Sequence, residues 1–141
     1  MKNIISYLGV FIAPVIPMLV LVFLISVVDT FTGRRAAKKK KEEITSRKLR
    51  LGIVSKLITY FSVILLAYFT DYFIINEITV KYVWFDYLFT RFWAGILIYI
   101  EYVSIDENIK ILRGYSLTEK AIQFTEGVKK VIRELMVIKQ Q

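Results

Sequence analysis

The sequence predicts an all-α membrane protein: three transmembrane helices followed by a cytoplasmic amphipathic helix. Three observations carry that reading. The 141-residue chain is 56% hydrophobic but 23% charged, where soluble domains run at about 45–50% apolar and about 25% charged. Apolar excess and ordinary charge must therefore occupy different stretches. The charge is concentrated in one block, and the last apolar residues recur with a helical period. The length allows one domain, with no room for a catalytic domain beside membrane spans. With neither Cys nor His, the chain lacks a thiolate nucleophile, a disulfide framework, and the commonest metal ligand and general base. Neither an enzyme, a cofactor nor a metal site is expected.

Residues 3–28 carry no formal charge, and as a helix they would exceed the roughly 30 Å of a hydrocarbon core. A buried soluble helix rarely stays apolar on every face for that length. A cleaved signal peptide is disfavoured because the run is too long and no small-residue cleavage site precedes Asp29. Pro14 and Pro17 are read as a kink within this first span, and Gly9 with Ala13 as a weak small-residue contact pair. Residues 57–76 form a second span with one charge, Asp71, placed late enough to reach the interface. The third segment, residues 82–104, holds Asp86, Arg91 and Glu101 and nine of the 21 aromatics, with Trp84 placed for an interfacial belt. It reads either as an interfacial helix or as a span whose polar residues Asp86, Thr90, Arg91 and Glu101 face protein or water. The span is favoured, because three crossings agree with the charge distribution.

Residues 29–56 form a basic loop with ten Lys/Arg against three Asp/Glu, nearly all of the chain's net +8. Short basic loops stay cytoplasmic, so the N-terminus lies outside and the C-terminal tail inside. Lys38 to Lys41 lack the interleaved aromatics of a nucleic-acid surface, and no nucleic-acid partner is expected. A topology signal that also grips anionic lipid accounts for the run. It is expected to continue as a solvated helix with pairs such as Lys38–Glu42.

In the tail, residues 109–141 after a membrane domain at 1–108, Ser116-Leu117-Thr118-Glu119 is a capping box. Leu117, Ala121, Phe124, Val128, Val131, Leu135 and Ile138 then follow at alternating spacings of four and three, an a/d seam suited to self-association. Ile122, Ile132 and Met136 broaden the stripe, which also suits a helix packed on its own protein or on the membrane. Ser46 and Ser55 have lysines nearby, but a Ser–Lys dyad also needs a groove and an oxyanion hole.

Asp29-Thr30-Phe31-Thr32-Gly33 resembles the D-x-x-T-G segment of a phage holin family of the toxin-secretion/phage-lysis type. The resemblance continues through Thr45-Ser46-Arg47-Lys48, Gly52 and Lys56, then Asp71, and then Glu101, Ser104, Ile105, Glu107 and Asn108, an E-x-x-S-I-x-E-N pattern. The chain departs from the family in its more basic stretch 34–43 and in the aromatic richness of the outer loop and third span. The resemblance implies a small protein of the bacterial cytoplasmic membrane. Such a protein accumulates, self-associates and permeabilises the bilayer, so that a lytic enzyme or toxin leaves the cell. That enzyme is coupled functionally and need not be bound. It also implies structural roles for the motif residues, with Asp29 and Gly33 shaping the helix exit. The competing reading is a non-lytic anchor or scaffold that docks a partner through the basic loop and tail. A transporter subunit is weaker, because no paired broken-helix repeat appears.

Overall fold

A computed structural model describes residues 2–43, 45–79 and 86–138. The first apolar run is not one helix. It divides into α1 (Lys2–Ile12) and α2 (Ile16–Lys39), separated by a turn at residues 13–15. Pro14 cannot donate the bond that would continue α1, and Pro17 sits in the first turn of α2, where its missing N–H is not needed. The expected kink is a break. Among the described residues nothing packs against Gly9 of the small-residue pair, where an added Cβ would meet nothing within 4 Å.

The segment expected to be a basic loop is mostly helix. Helix α2 runs through Lys39, and α3 starts at Ser46 and runs to Thr70. The connection is a few residues around Lys41, which adopts φ 62°. Because α2 ends before Glu42, the expected Lys38–Glu42 pair does not form, and Glu42 meets Lys40 at 3.9 Å instead. Beyond α3 come a π-helical turn at Asp71–Ile75, α4 (Asn76–Thr79), α5 (Leu88–Arg113) and α6 (Leu117–Ile138). Tyr82, Trp84 and Phe85 lie outside the described residues, as does the start of the expected third span.

Among the described residues, three stretches are long and apolar enough to cross a membrane: Ile16–Lys39, Leu49–Ile78 and Leu88–Arg113. Each is shifted from its expected bounds, and α5 crosses the expected 108/109 domain boundary to end at Gly114, φ 83°. Glycine is the residue that adopts this left-handed C-terminal stop without strain. Helices α2 and α5 form the most extensive pair and run in the same direction, with Lys39 Nζ donating to the carbonyls of Ile111 and Leu112 at 2.8 and 2.9 Å. The core is a seam of Val15, Val22, Tyr60, Ile64, Tyr68, Ala94 and Leu97. Phe11 of α1 packs on Tyr68 and Tyr72, and the Tyr68 hydroxyl donates to its carbonyl. Leu24, Leu51, Ile58, Leu66, Phe73 and Phe92 face outward. A soluble monomer rarely carries so continuous an apolar exterior, and in lipid it costs nothing. The chain is a multi-pass, all-α membrane protein.

Candidate functional site

Polar residues of all three long helices meet inside the bundle. On α2 the buried positions Val22, Ser26, Asp29 and Ala36 follow a four/three spacing, so a helix that buries Val22 also buries Asp29. On α5 the same logic aligns Thr90, Ala94, Leu97, Glu101 and Ile105. Helix α3 brings Lys56 between them. Its ammonium donates to Asp29 Oδ2 at 2.7 Å and to Glu101 Oε2 at 2.8 Å. The Asp29 side chain is 11% exposed and that of Glu101 0%, while Lys56 keeps 30%.

Asn108, two turns beyond Glu101, donates to Asp29 Oδ1 at 3.2 Å and to Thr32 Oγ1 at 3.4 Å. Gly33 lies beside it, where a Cβ would meet Asn108 Nδ2 at 3.4 Å, about van der Waals contact. Asp29 and Gly33 thus join α2 to α5 in mid-helix and do not shape a helix exit. Two carboxylates around one ammonium leave a formal charge of −1. Glu101 Oε1 is enclosed without a partner at hydrogen-bond distance, although the Tyr60 hydroxyl faces the same carboxylate. Seven residues separate Lys56 from Leu49, which places the cluster roughly 10 Å inside the span. An unpaired ion is expensive there, and the pairing makes the site tolerable.

Asp71 forms a second site. It was expected to reach the interface, but it is fully buried. Its Oδ2 accepts from Thr90 N and Thr90 Oγ1, each at 2.6 Å, and its Oδ1 from Phe89 N at 3.2 Å. The two backbone donors are free N–H groups of the first turn of α5, and Tyr87, the residue before that helix, supplies no side-chain cap. Asp71 therefore caps α5 from another helix and sits at the positive end of its dipole. No cation is needed.

The polar set expected along the third segment does not share one face. Thr90 and Glu101 point inward and are partnered as above, whereas Asp86 and Arg91 are exposed. Among the remaining motif residues, Ser46, Gly52 and Glu107 are exposed and Ser104 is half-buried. None of these four joins either cluster, and the Lys48 side chain lies outside the description.

At the start of α6 the capping box is complete. Glu119 N donates to Ser116 Oγ and Ser116 N to Glu119 Oε2, both at 3.0 Å. Asp106 of α5 adds a cap that the sequence did not signal, accepting from Leu117 N and, at 2.8 Å, from Thr118 Oγ1. Lys110 Nζ meets Glu119 at 2.7 Å, and this hydrogen bond leads the interactions that hold the Glu119 carboxyl below its usual range. Past this junction α6 leaves the bundle. Leu117, Ala121, Phe124, Val128, Val131 and Leu135 are exposed, and Ile138 has no described side chain.

Comparison with known proteins adds one match: the profile of the bacteriophage holin family aligns with residues 6–130, spanning both polar sites and all three membrane-length helices. No curated protein and no solved structure matches.

Proposed function

The chain belongs to the bacteriophage holin family, and from that premise we propose that its protomers assemble laterally in the host cytoplasmic membrane and open lesions through which a lytic enzyme or toxin leaves the cell. The family match over most of the chain, joined to three membrane-length helices, carries the proposal. In this reading the protein has no catalytic role. The basic connection between α2 and α3 stays in the cytoplasm and meets anionic lipid, so the N-terminus lies outside and α6 inside. Residues up to Arg113 form the membrane part.

Two features suit assembly. The exposed apolar face of α6 offers a self-association seam, and tethering to a membrane raises the effective concentration at which three heptads pair. The Asp29–Lys56–Glu101 cluster offers polar groups that turn toward water if α2, α3 and α5 separate as protomers associate, joined by the exposed Arg91. In the closed protomer Lys56 pairs with both carboxylates inside the bundle, with one Glu101 oxygen left unpartnered, so the protein accumulates without leaking.

The test is membrane potential in bacteria that accumulate the protein, read with a voltage-sensitive dye. Abrupt depolarisation after a period of accumulation is expected. Cells that stay polarised and growing at high protein density would overturn the proposal and favour a non-lytic scaffold.

A further inference from the structure

Two adjoining cavities line the cleft between α2 and α3 near their cytoplasmic ends. The first, about 430 Å³, is lined by Arg34, Lys38, Ser46, Leu49 and Arg50. The second, about 170 Å³, shares Arg34 and Leu49 with it and continues along Val27, Thr30, Phe31 and Ile53. The Thr30 hydroxyl donates to the Ser26 carbonyl at 2.8 Å, so the wall of the second cavity is effectively apolar. A strongly basic pocket thus opens directly onto an apolar groove.

The pocket's charge is uncompensated. Among the described residues no carboxylate lines it, and none pairs with Arg34, Lys38 or Arg50. Ser46 opens α3, which brings the positive end of that helix's dipole to the same wall. Arg34 lies 18 residues into α2, roughly 27 Å along its axis, and Arg50 lies at the start of the second span. Both ends therefore reach the same membrane surface, with the apolar groove on the hydrocarbon side. The order is that of a phospholipid, anionic headgroup first and acyl chain below.

We propose that this cleft is a discrete site for one anionic phospholipid. Arg34, Lys38 and Arg50 hold the phosphate, and Val27, Phe31 and Ile53 hold the upper part of an acyl chain. A seated lipid bridges α2 and α3. This differs from diffuse attraction to the basic connection, which treats every cation there alike. The inference rests on the membrane placement of that connection and not on lesion formation.

The full chain, purified in a neutral maltoside detergent, is titrated with phosphatidylglycerol or phosphatidylcholine, and bound lipid is read by native mass spectrometry. The wild type is expected to retain phosphatidylglycerol preferentially. Each surface cation contributes about fivefold to anionic-lipid affinity, so Arg34→Gln with Lys38→Gln and Arg50→Gln should weaken retention about a hundredfold. Lys40→Gln with Lys41→Gln and Arg47→Gln removes the same charge from residues outside the described lining, and should change retention less than about threefold. Phe31→Ser with Ile53→Ser should lower retention without altering net charge. Soluble glycerol phosphate should not displace the lipid. All these positions except Ile53 are exposed, and helicity by circular dichroism confirms that each variant is folded. Equal losses from the two triple variants, absence of headgroup preference, or displacement by glycerol phosphate alone would each overturn the site. A chain that binds lipid this way yet leaves cells polarised refutes the lesion proposal only.

Discussion

Replacing Lys56 with methionine removes the ammonium that lies between two buried carboxylates and keeps most of the side chain's volume. Losing one partner of a buried ion pair costs about 3–5 kcal/mol, whereas an exposed pair is worth about 0–1 kcal/mol. Lys56 is 30% exposed while Glu101 is fully enclosed, which places the expected loss near the lower end, at about 3 kcal/mol. Glu101→Gln provides the internal contrast. It leaves Lys56 opposite Asp29 alone, cancels the formal −1 and keeps an oxygen acceptor, so its cost should stay at or below about 1 kcal/mol. The Lys56→Met, Glu101→Gln double variant should then recover at least about 1 kcal/mol relative to the sum of the singles, because the two sites are in contact. Reversible unfolding in mixed micelles with increasing dodecyl sulfate, followed by far-ultraviolet circular dichroism, measures all three. If Lys56→Met costs less than about 1 kcal/mol, or Glu101→Gln costs as much as Lys56→Met, the cluster does not hold the bundle by charge pairing.

Other consequences follow from the second polar site and from α6. Asp71→Ala removes a cap that takes three donors at the start of α5, and should cost about 2 kcal/mol, with faster hydrogen exchange at the amides of Phe89 and Thr90. Thr90→Val removes one of those donors and should cost about 1 kcal/mol. The lowered Glu119 carboxyl contributes to the α5–α6 junction above its unfolded pKa, and this contribution disappears as pH falls through the folded value. Acidification below the carboxylate range should therefore release the first-turn amides of α6 in hydrogen exchange. Phe124→Asp with Leu135→Asp places charge on the exposed seam and should abolish homo-oligomers in light scattering if α6 is the self-association element. An unchanged oligomer size assigns α6 another role.

The architecture was largely legible because its signals are local. A long charge-free run, a dense basic block and a Ser-x-x-Glu before an alternating seam each report on a few turns of chain. The break at residues 13–15 was signalled by Pro14, but a proline in an apolar helix reads equally as a kink or a stop. The choice here depends on Val15 and Phe11 packing against α3. The length of α2 was obscured by its composition, since Arg34 to Lys39 look like loop and yet continue the helix that carries Asp29.

The sites were legible only as separate residues. Asp29, Lys56, Glu101 and Asn108 stand out one by one in the family resemblance, but nothing in their spacing says that they touch across 27, 45 and 79 positions. Asp71 looked interfacial because it falls near the end of an apolar run. Its burial becomes intelligible only when the uncapped start of α5 is placed against it. Tyr60 and Asp106 carried no motif, Lys39 was only one cation of a basic run, and the roles of all three arise from tertiary neighbours. Arg34 and Arg50 were absorbed into a general basic loop, and the cleft that groups them appears only when α2 and α3 lie side by side.

The most direct test of lesion formation pairs this chain with a peptidoglycan-degrading enzyme that has no export signal of its own, in one bacterial cell, with culture turbidity as the readout. The account predicts sudden clearing when both are made, with the enzyme alone inert because it stays in the cytoplasm. Cultures that keep growing with both proteins abundant would contradict it.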